Sequence, residues 1–306
     1  SIWLGFFQYQ VLLNFAETAR QHADESFATR CEEQALLLQG NLEAHGWDGE
    51  WYRRAYFDDG TPLGSASNSE CRIDSIAQSW AVLSGAAPAD RREMAMQALD
   101  SHLVRRDLGL IQLFTPPFDT TDLDPGYIKG YVPGVRENGG QYTHAGIWAA
   151  MAFAALGDNA RAWELTRMLN PVNHGNSAAA IAQYKVEPYV ISADIYAVEP
   201  HAGRGGWSWY TGSAGWMYQL LLQSLLGLQI EGSRLRLQPV LPADWPGFSL
   251  SYRFGASTYQ IVLQQSAPVD SQQQVSLDGV LQAKPEVQLV DDGQEHRIDI
   301  QCASPL

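Results

Sequence analysis

Residues 142–169 read Tyr-Thr-His-Ala-Gly-Ile-Trp-Ala-Ala-Met-Ala-Phe-Ala-Ala-Leu-Gly-Asp-Asn-Ala-Arg-Ala-Trp-Glu-Leu-Thr-Arg-Met-Leu, and they decide the fold class. An apolar run of helical length, Tyr142–Leu156, stops at Gly157-Asp158 and is followed by a second, Asn159–Leu169. Glycine suits a helix C-terminus, the Asp158 carboxylate suits the N-cap of the next helix, and Pro171 ends it. This is a helical hairpin. Working outward, Ile2–Ala23 and Ser26–Ala44 read as two long helices, the second ended by His45-Gly46. Ile73–Ser84 is a helix after a Gly/Ser/Asn-rich loop. Pro88 opens another, with Met94, Ala95, Ala98, Leu99 and Leu103 on one stripe. Ser213–Leu228, ended by Gly227, is the last. Helix pairs separated by long loops predict an α/α toroid whose loops gather at one end.

From Gly232 the period changes from 3.6 to 2. Leu235–Gln238, Phe248–Phe254, Tyr259–Leu263, Gln274–Leu277, Val287–Val290 and His296–Ile300 alternate as half-buried strands, with turns at 244–247, 278–279 and 291–293. The chain therefore reads as mainly α with a β tail: residues 1–230 helical, residues 231–306 an antiparallel β element. Helices followed by strands, without alternation, exclude a parallel α/β sheet.

The 306 residues suffice for a large core, and 45% hydrophobic composition excludes a disordered chain. The formal net charge of −14, without a Lys/Arg cluster, argues against nucleic acid or an anionic membrane surface as partner. Cys31, Cys71 and Cys302 are scattered and form no metal-binding spacing, which points to a reducing compartment and no zinc. No secretory signal is read at the start, and the apolar run Ala145–Leu156 is too short to cross a bilayer. Trp3, Phe6, Phe7, Gln10, Val11 and Asn14 keep helical spacing from the first residues, without a recognisable cap. The chain is therefore expected to be a fragment or processed piece.

Two segments carry the chemistry: Arg136-Glu-Asn-Gly-Gly-Gln-Tyr-Thr-His144 and Trp207-Ser-Trp-Tyr-Thr-Gly-Ser-Ala-Gly-Trp216. Aromatic faces suit the C–H surfaces of a sugar, carboxylate and guanidinium suit its hydroxyls, and His, Thr hydroxyl and backbone N–H suit an oxyanion. From spacing alone, His144 serves equally well as an anion ligand or as a cap of its own loop. Thr211 alone reads more simply as an N-cap, and Arg136 with Glu137 as a surface ion pair.

With Trp47-Asp-Gly-Glu-Trp-Tyr-Arg53 and Arg72-Ile-Asp-Ser-Ile-Ala-Gln-Ser-Trp80, these segments closely resemble the inverting glycoside phosphorylases of the cellobiose-phosphorylase family, and in particular the phosphorylase region that ends cyclic β-1,2-glucan synthases. The likeness runs over nearly the whole chain and fades after about Gln264. It implies an (α/α)6 toroid, about whose second half lies in this chain, with a C-terminal β element. It implies that His144, Thr211 and Gly212 bind phosphate, and that Arg136, Glu137, Tyr142 and Tyr189 bind the acceptor sugar. It implies inorganic phosphate as a substrate, no cofactor and no metal, and a β-glucan or oligosaccharide as the second substrate. Cellobiose-active members usually have Lys at position 136 and Gln at position 193, where this chain has Arg136 and Ala193. Those departures disfavour cellobiose, and the likeness to the cyclic β-1,2-glucan synthases implies β-1,2 linkages. The family's general acid, the last Asp of an Asp-Trp-Asn-Asp motif, is expected upstream of Ser1, so no catalytic acid is assigned here and this chain alone is expected to be inactive. The missing half ring is expected to leave an apolar side bearing Trp3, Phe6 and Phe7, needing the upstream part or a second copy. The resemblance places the protein in the cytoplasm, including as part of an inner-membrane synthase.

Other residues take plainer readings. Asp48 and Glu50 are structural. Arg72, Asp74 and Gln78 share a helical face as buried polar partners. Asp119, Asp122 and Asp124 lack the glycine and terminal glutamate of a calcium loop. A non-catalytic carbohydrate-binding module is the opposing reading. An inverting hydrolase is another, but it would need a second carboxylate to activate water.

Overall fold

A computed structural model describes residues 1–267 and 273–303. The chain forms two compact units, Ser1–Tyr218 and Gln219–Leu306. In the first, α1 (Ile2–Gln21) and α2 (Glu25–Asn41) form a hairpin packed through the small residues Ala16, Ala19, Ala28 and Cys31. The Asp24 carboxylate caps α2 by accepting from Phe27 N–H at 3.0 Å. The start of α1 is capped as well, contrary to expectation: the Ser1 hydroxyl accepts from Leu4 N–H at 3.4 Å. A wide final turn, Leu42–Gly46, ends α2. Next come α3 (Ser75–Leu83), α4 (Ala89–Leu103), α5 (Thr143–Ala155), α6 (Asn159–Leu169), α7 (Ala178–Tyr184) and α8 (Thr211–Gln219). Asp158 caps α6, accepting from Arg161 N–H at 3.0 Å.

Eight two-residue strands stitch the loops together: β1 (Ala55–Tyr56), β2 (Pro62–Leu63), β3 (Ile73–Asp74), β4 (Val104–Arg105), β5 (Leu110–Ile111), β6 (Phe114–Thr115), β7 (Gln141–Tyr142) and β8 (Asp194–Ile195). They pair antiparallel as β1–β2, β3–β6, β4–β5 and β7–β8. Arg72, expected to share a helical face with Asp74 and Gln78, is exposed before α3 begins. The other two are buried polar partners: Asp74 caps α3, and Gln78 grips both backbone groups of Tyr52.

α5 is buried nearly all round, from Thr143 to Ala154, as a helix enclosed by its neighbours must be. Its Trp148 is the centre of an aromatic cluster. Trp3 stacks on it at 6.1 Å between ring centres, and Trp80 and Trp216 meet it edge-to-face, each at 5.4 Å. α1, α3, α5 and α8 are thereby joined through one set of rings. The indole N–H groups of Trp3, Trp80 and Trp148 are buried with no hydrogen-bond acceptor among the described residues. The electron-rich faces of neighbouring rings are the weak acceptors at hand. Phe6, expected on an exposed side, is fully buried edge-on to Tyr52 at 4.9 Å, because it points to the α3 side of the hairpin. Exposed apolar positions of this hairpin include Leu4, Val11, Leu13, Phe15, Leu36 and Leu37, with Phe7 partly covered by Trp80.

The second unit opens with the turn Leu220–Leu225 and holds β9 (Leu228–Glu231), β10 (Arg234–Leu237), β11 (Gly247–Phe254), β12 (Ser257–Ala267), β13 (Gln274–Leu277), β14 (Val280–Leu281), β15 (Glu286–Gln288) and β16 (Glu295–Ala303). They make two sheets, ordered β15-β10-β9 and β11-β12-β16-β13-β14. The expectation of a wholly antiparallel tail is corrected here: β12 and β16 run parallel, from Thr258 opposite Glu295 onward. Parallel neighbours need a long connection, and the chain between them supplies it, placing β13 and β14 at the far edge and β15 in the other sheet.

Candidate functional site

The loop ahead of α5 is held by its own amides. Asn138 is fully buried; its Oδ1 accepts from Phe118 N–H at 2.7 Å, and its Nδ2 donates to the carbonyls of Phe118 and Tyr131. Gln112 donates to Gly139 O at 2.9 Å, and Gln141 Oε1 accepts from Ile111 N–H at 2.9 Å. On this fixed base Arg136 adopts a left-handed backbone (φ 50°), a conformation that carries a cost for a non-glycine residue and concentrates at functional sites. Its guanidinium lies over Trp207 at 4.6 Å and Tyr131 at 5.4 Å. Trp209, in the second motif, is also left-handed (φ 57°).

β7 and β8 bring the first motif to residues 193–195, with Tyr142 opposite Asp194. Thr143 N–H donates to Ala193 O at 2.9 Å, and Ala193 N–H donates to Trp207 O at 2.6 Å. Three segments distant in sequence therefore converge on a cleft of about 170 Å³. Arg136, Glu137 and Tyr142 line it from the first motif, Asp194 from β8 with Ala193 just before it, and Trp207 and Tyr210 from the second motif. Trp207 is 62% exposed, an open ring face beside charged groups.

His144 stands at the first turn of α5. Its ring stacks on Tyr142 (5.6 Å, 21°) and leans on Trp148 at 5.5 Å. Gly212, in the first turn of α8, packs directly on it: a Cβ there would stand 2.6 Å from His144 Cε1, so a side chain at 212 would displace the ring. Ser213 fixes that turn by donating to the carbonyls of Tyr210 and Ser192. His144 and Gly212 thus form one corner, joined to the cleft through Tyr142, with Thr211 exposed beside Gly212 at the start of α8. Burial pushes the His144 pKa below its ordinary value, so the free ring is neutral at neutral pH.

Of the residues singled out from sequence, six come together: Arg136, Glu137 and Tyr142 on the cleft, and His144, Thr211 and Gly212 at the corner. Tyr189 does not join them; it is 71% exposed and is not part of the cleft wall. Asp48 ties Arg53, Ser65 and Ala66 into a loop, a structural role, and Glu50 lies with His102 in a separate surface groove. Among the described residues no cluster of ligands suited to a metal is found. Sequence reasoning missed Asp194. Its signal is a lone charge in the apolar run Val190–Tyr196, with Gly205-Gly206 following. It is 1% exposed; Oδ1 accepts from Trp207 N–H at 3.1 Å, and burial raises its pKa despite that bond and the nearby Arg136.

Among known proteins, the chain is 51% identical over 261 residues to the cyclic β-(1,2)-glucan synthase NdvB of Rhizobium meliloti (strain 1021), covering 85% of this chain and 9% of that protein. It is 30% identical over 304 residues to the solabiose phosphorylase of Paenibacillus borealis, covering 98% of this chain and 39% of that one. It spans well under half the length of these relatives. A solved sialidase shares the fold, at 12% identity and TM-score 0.56 over 82% of this chain and 22% of that chain. No helix among the described residues is long and apolar enough to cross a membrane. Residues 1–227 match the glycosyl hydrolase 94 superfamily, catalytic domain, and the chain belongs to that family.

Proposed function

We propose that this chain carries the phosphate corner and the acceptor-sugar cleft of an inverting glycoside phosphorylase, which cleaves a β-linked glucan with inorganic phosphate to give α-glucose 1-phosphate. The observation that carries the reading is the meeting of the His144 ring with Thr211-Gly212, beside a cleft that offers an aromatic face, a guanidinium and carboxylates to one sugar. In this reading the phosphate oxygens take N–H groups at the start of α8, the Thr211 hydroxyl and the imidazole. Phosphate attacks the anomeric carbon, the glycosidic bond breaks with inversion, and a carboxylic acid gives its proton to the departing oxygen. Phosphate replaces an activated water, so one acid suffices and no cofactor or metal is required. Arg136, Glu137 and Tyr142 hold the acceptor sugar. The 51% relative's name favours β-1,2 linkages, and Arg136 and Ala193 argue against a strict cellobiose enzyme.

The motif Asp-Trp-Asn-Asp does not occur in these 306 residues. We therefore place the general acid, the donor-sugar pocket and the first half of an (α/α)6 ring in an upstream segment. This chain by itself is then inactive, and the apolar positions Leu4, Phe15, Leu36 and Leu37 face that segment or a second copy. Dependence on inorganic phosphate and three free cysteines fit a cytoplasmic enzyme or the cytoplasmic part of an inner-membrane synthase. A hydrolase is the second reading, because Glu137 and Asp194 border one cleft and their charges interact. The chain joined to the upstream segment, given a β-1,2-linked oligoglucan with and without phosphate, is expected to form glucose 1-phosphate only with phosphate. Free glucose without phosphate would establish the hydrolase, and sugar binding without turnover a binding module.

A further inference from the structure

The cleft contains one buried group that this reaction leaves unused. Asp194 Oδ1 is paired with the backbone N–H of Trp207, but Oδ2 has no hydrogen-bond partner among the described residues. A buried acceptor left unpaired costs about 1–3 kcal/mol, more when charged, so folding does not account for a carboxylate here. The nearby cation does not close it off: Arg136 attracts it through space, but its guanidinium is stacked on Trp207 and Tyr131 and donates to the Tyr131 hydroxyl at 3.4 Å. A side chain at 206 would also fill the place, since a Cβ on Gly206 would stand 2.4 Å from Oδ2. Glycine at 206 leaves the room that this carboxylate occupies.

We propose that Asp194 is a specificity-determining contact of the cleft: its Oδ2 accepts a hydrogen bond from a hydroxyl of a neutral sugar and, with Glu137, turns away sugars that carry a carboxylate. The inference rests on the reading of this cleft as a sugar site. An ionised carboxylate only accepts, a sugar hydroxyl donates, and a charge-assisted bond of this kind is roughly twice as strong as a neutral one. Two carboxylates against one guanidinium leave the cleft negative. A uronic acid would add a third like charge, and rejecting it through repulsion needs no further contact.

The test follows the Trp207 indole N–H resonance in the nitrogen-15-labelled chain, located by its loss in Trp207→Phe, during titration with methyl β-glucoside and methyl β-glucuronide. The glucoside is expected to bind, and the glucuronide about tenfold more weakly. Asp194→Asn keeps an oxygen for the Trp207 backbone N–H and is expected to stay folded. It should weaken the glucoside about tenfold and erase the discrimination against the glucuronide. Unchanged affinities in Asp194→Asn, with the glucoside lost in Glu137→Gln, would overturn the inference while leaving the sugar cleft standing. So would normal binding in Asp194→Asn combined with loss of turnover in the enzyme joined to its upstream segment, the signature of a proton donor. No shift of Trp207 with either sugar would overturn the cleft reading and the inference together.

Discussion

The Asp194 carboxyl has a folded pKa above its ordinary value, with burial as the largest cause. The sign follows from linkage. A carboxyl raised on folding weakens the folded state at every pH above the folded value, and that weakness is relieved as pH falls below the unfolded value of about 3.9. Asp194→Asn is therefore expected to raise the melting temperature at pH 7, by about 2–4 °C for each kcal/mol recovered, and to do so less at pH 4. A scanning calorimeter decides it; a lower melting temperature at pH 7 would show that the carboxylate stabilises the fold. Such a residue, costly to stability and placed at a cleft, was hard to see in sequence. Ala193 beside it drew notice because it departs from a family pattern, whereas the burial of Asp194 arises only when β8 pairs with β7 and Trp207 folds over it.

At the scale of the element, α3 depends on one carboxylate. Asp74 accepts from Ile76 N–H at 2.8 Å and Ala77 N–H at 3.3 Å, and pairs with Arg54, which lies over Phe114 at 5.4 Å. Its side chain is 2% exposed and that of Arg54 23%. Asp74→Ala removes the cap and strands a largely buried guanidinium, so a loss of about 3–5 kcal/mol in urea unfolding is expected. Adding Arg54→Met should return part of that loss, and an additive double variant would refute the coupling. α5, α6 and the Asp158 cap were legible because a turn signal sits between two runs of helical length. α7 was not, since Ala178–Tyr184 is mostly alanine and shows no polar face. The two-residue strands were not, because a pair of residues has no period. Alternation along β12 and β16 marked them as strands but carries no information about the direction of a neighbour. Phe6 shows the same limit in a helix: spacing defines a stripe, and only the tertiary partner Tyr52 says which stripe is covered.

Across the whole molecule, the two units are expected to respond to pH with opposite sign. In the first, burial lowers the pKa of His144 and His174. Their unfolded forms bind protons more readily, so this unit weakens as pH falls through about 6.5. In the second, His296 lies between Asp278 (2.8 Å) and Asp292 (3.1 Å), whose hydrogen bonds raise its pKa. That contribution is fully present below about 6.5 and is lost as pH rises through the raised value. Calorimetry at pH 5.5 and 8.5 is expected to show the Ser1–Tyr218 transition falling in acid and the Gln219–Leu306 transition falling in base. His296→Gln should abolish the second trend alone. A second trend that survives this change would assign it to another group.

The tryptophan cluster also gives the protein an optical property. Trp3, Trp80, Trp148 and Trp216 have ring centres between 5.4 and 6.1 Å apart along their contacts with Trp148, close enough for their excited states to couple. His144 stands 5.5 Å from Trp148, so a proton gained by its imidazole is expected to quench the whole group. Sulfate, dianionic throughout the range, should draw a proton onto His144 when it occupies the corner. The emission of the cluster is then expected to dim on sulfate addition at pH 6, to dim less at pH 8, and to ignore sulfate in His144→Gln. Fluorescence that responds equally in that variant would place the anion elsewhere. The rings that hold four helices together would thus also report, without a label, when the anion corner is filled.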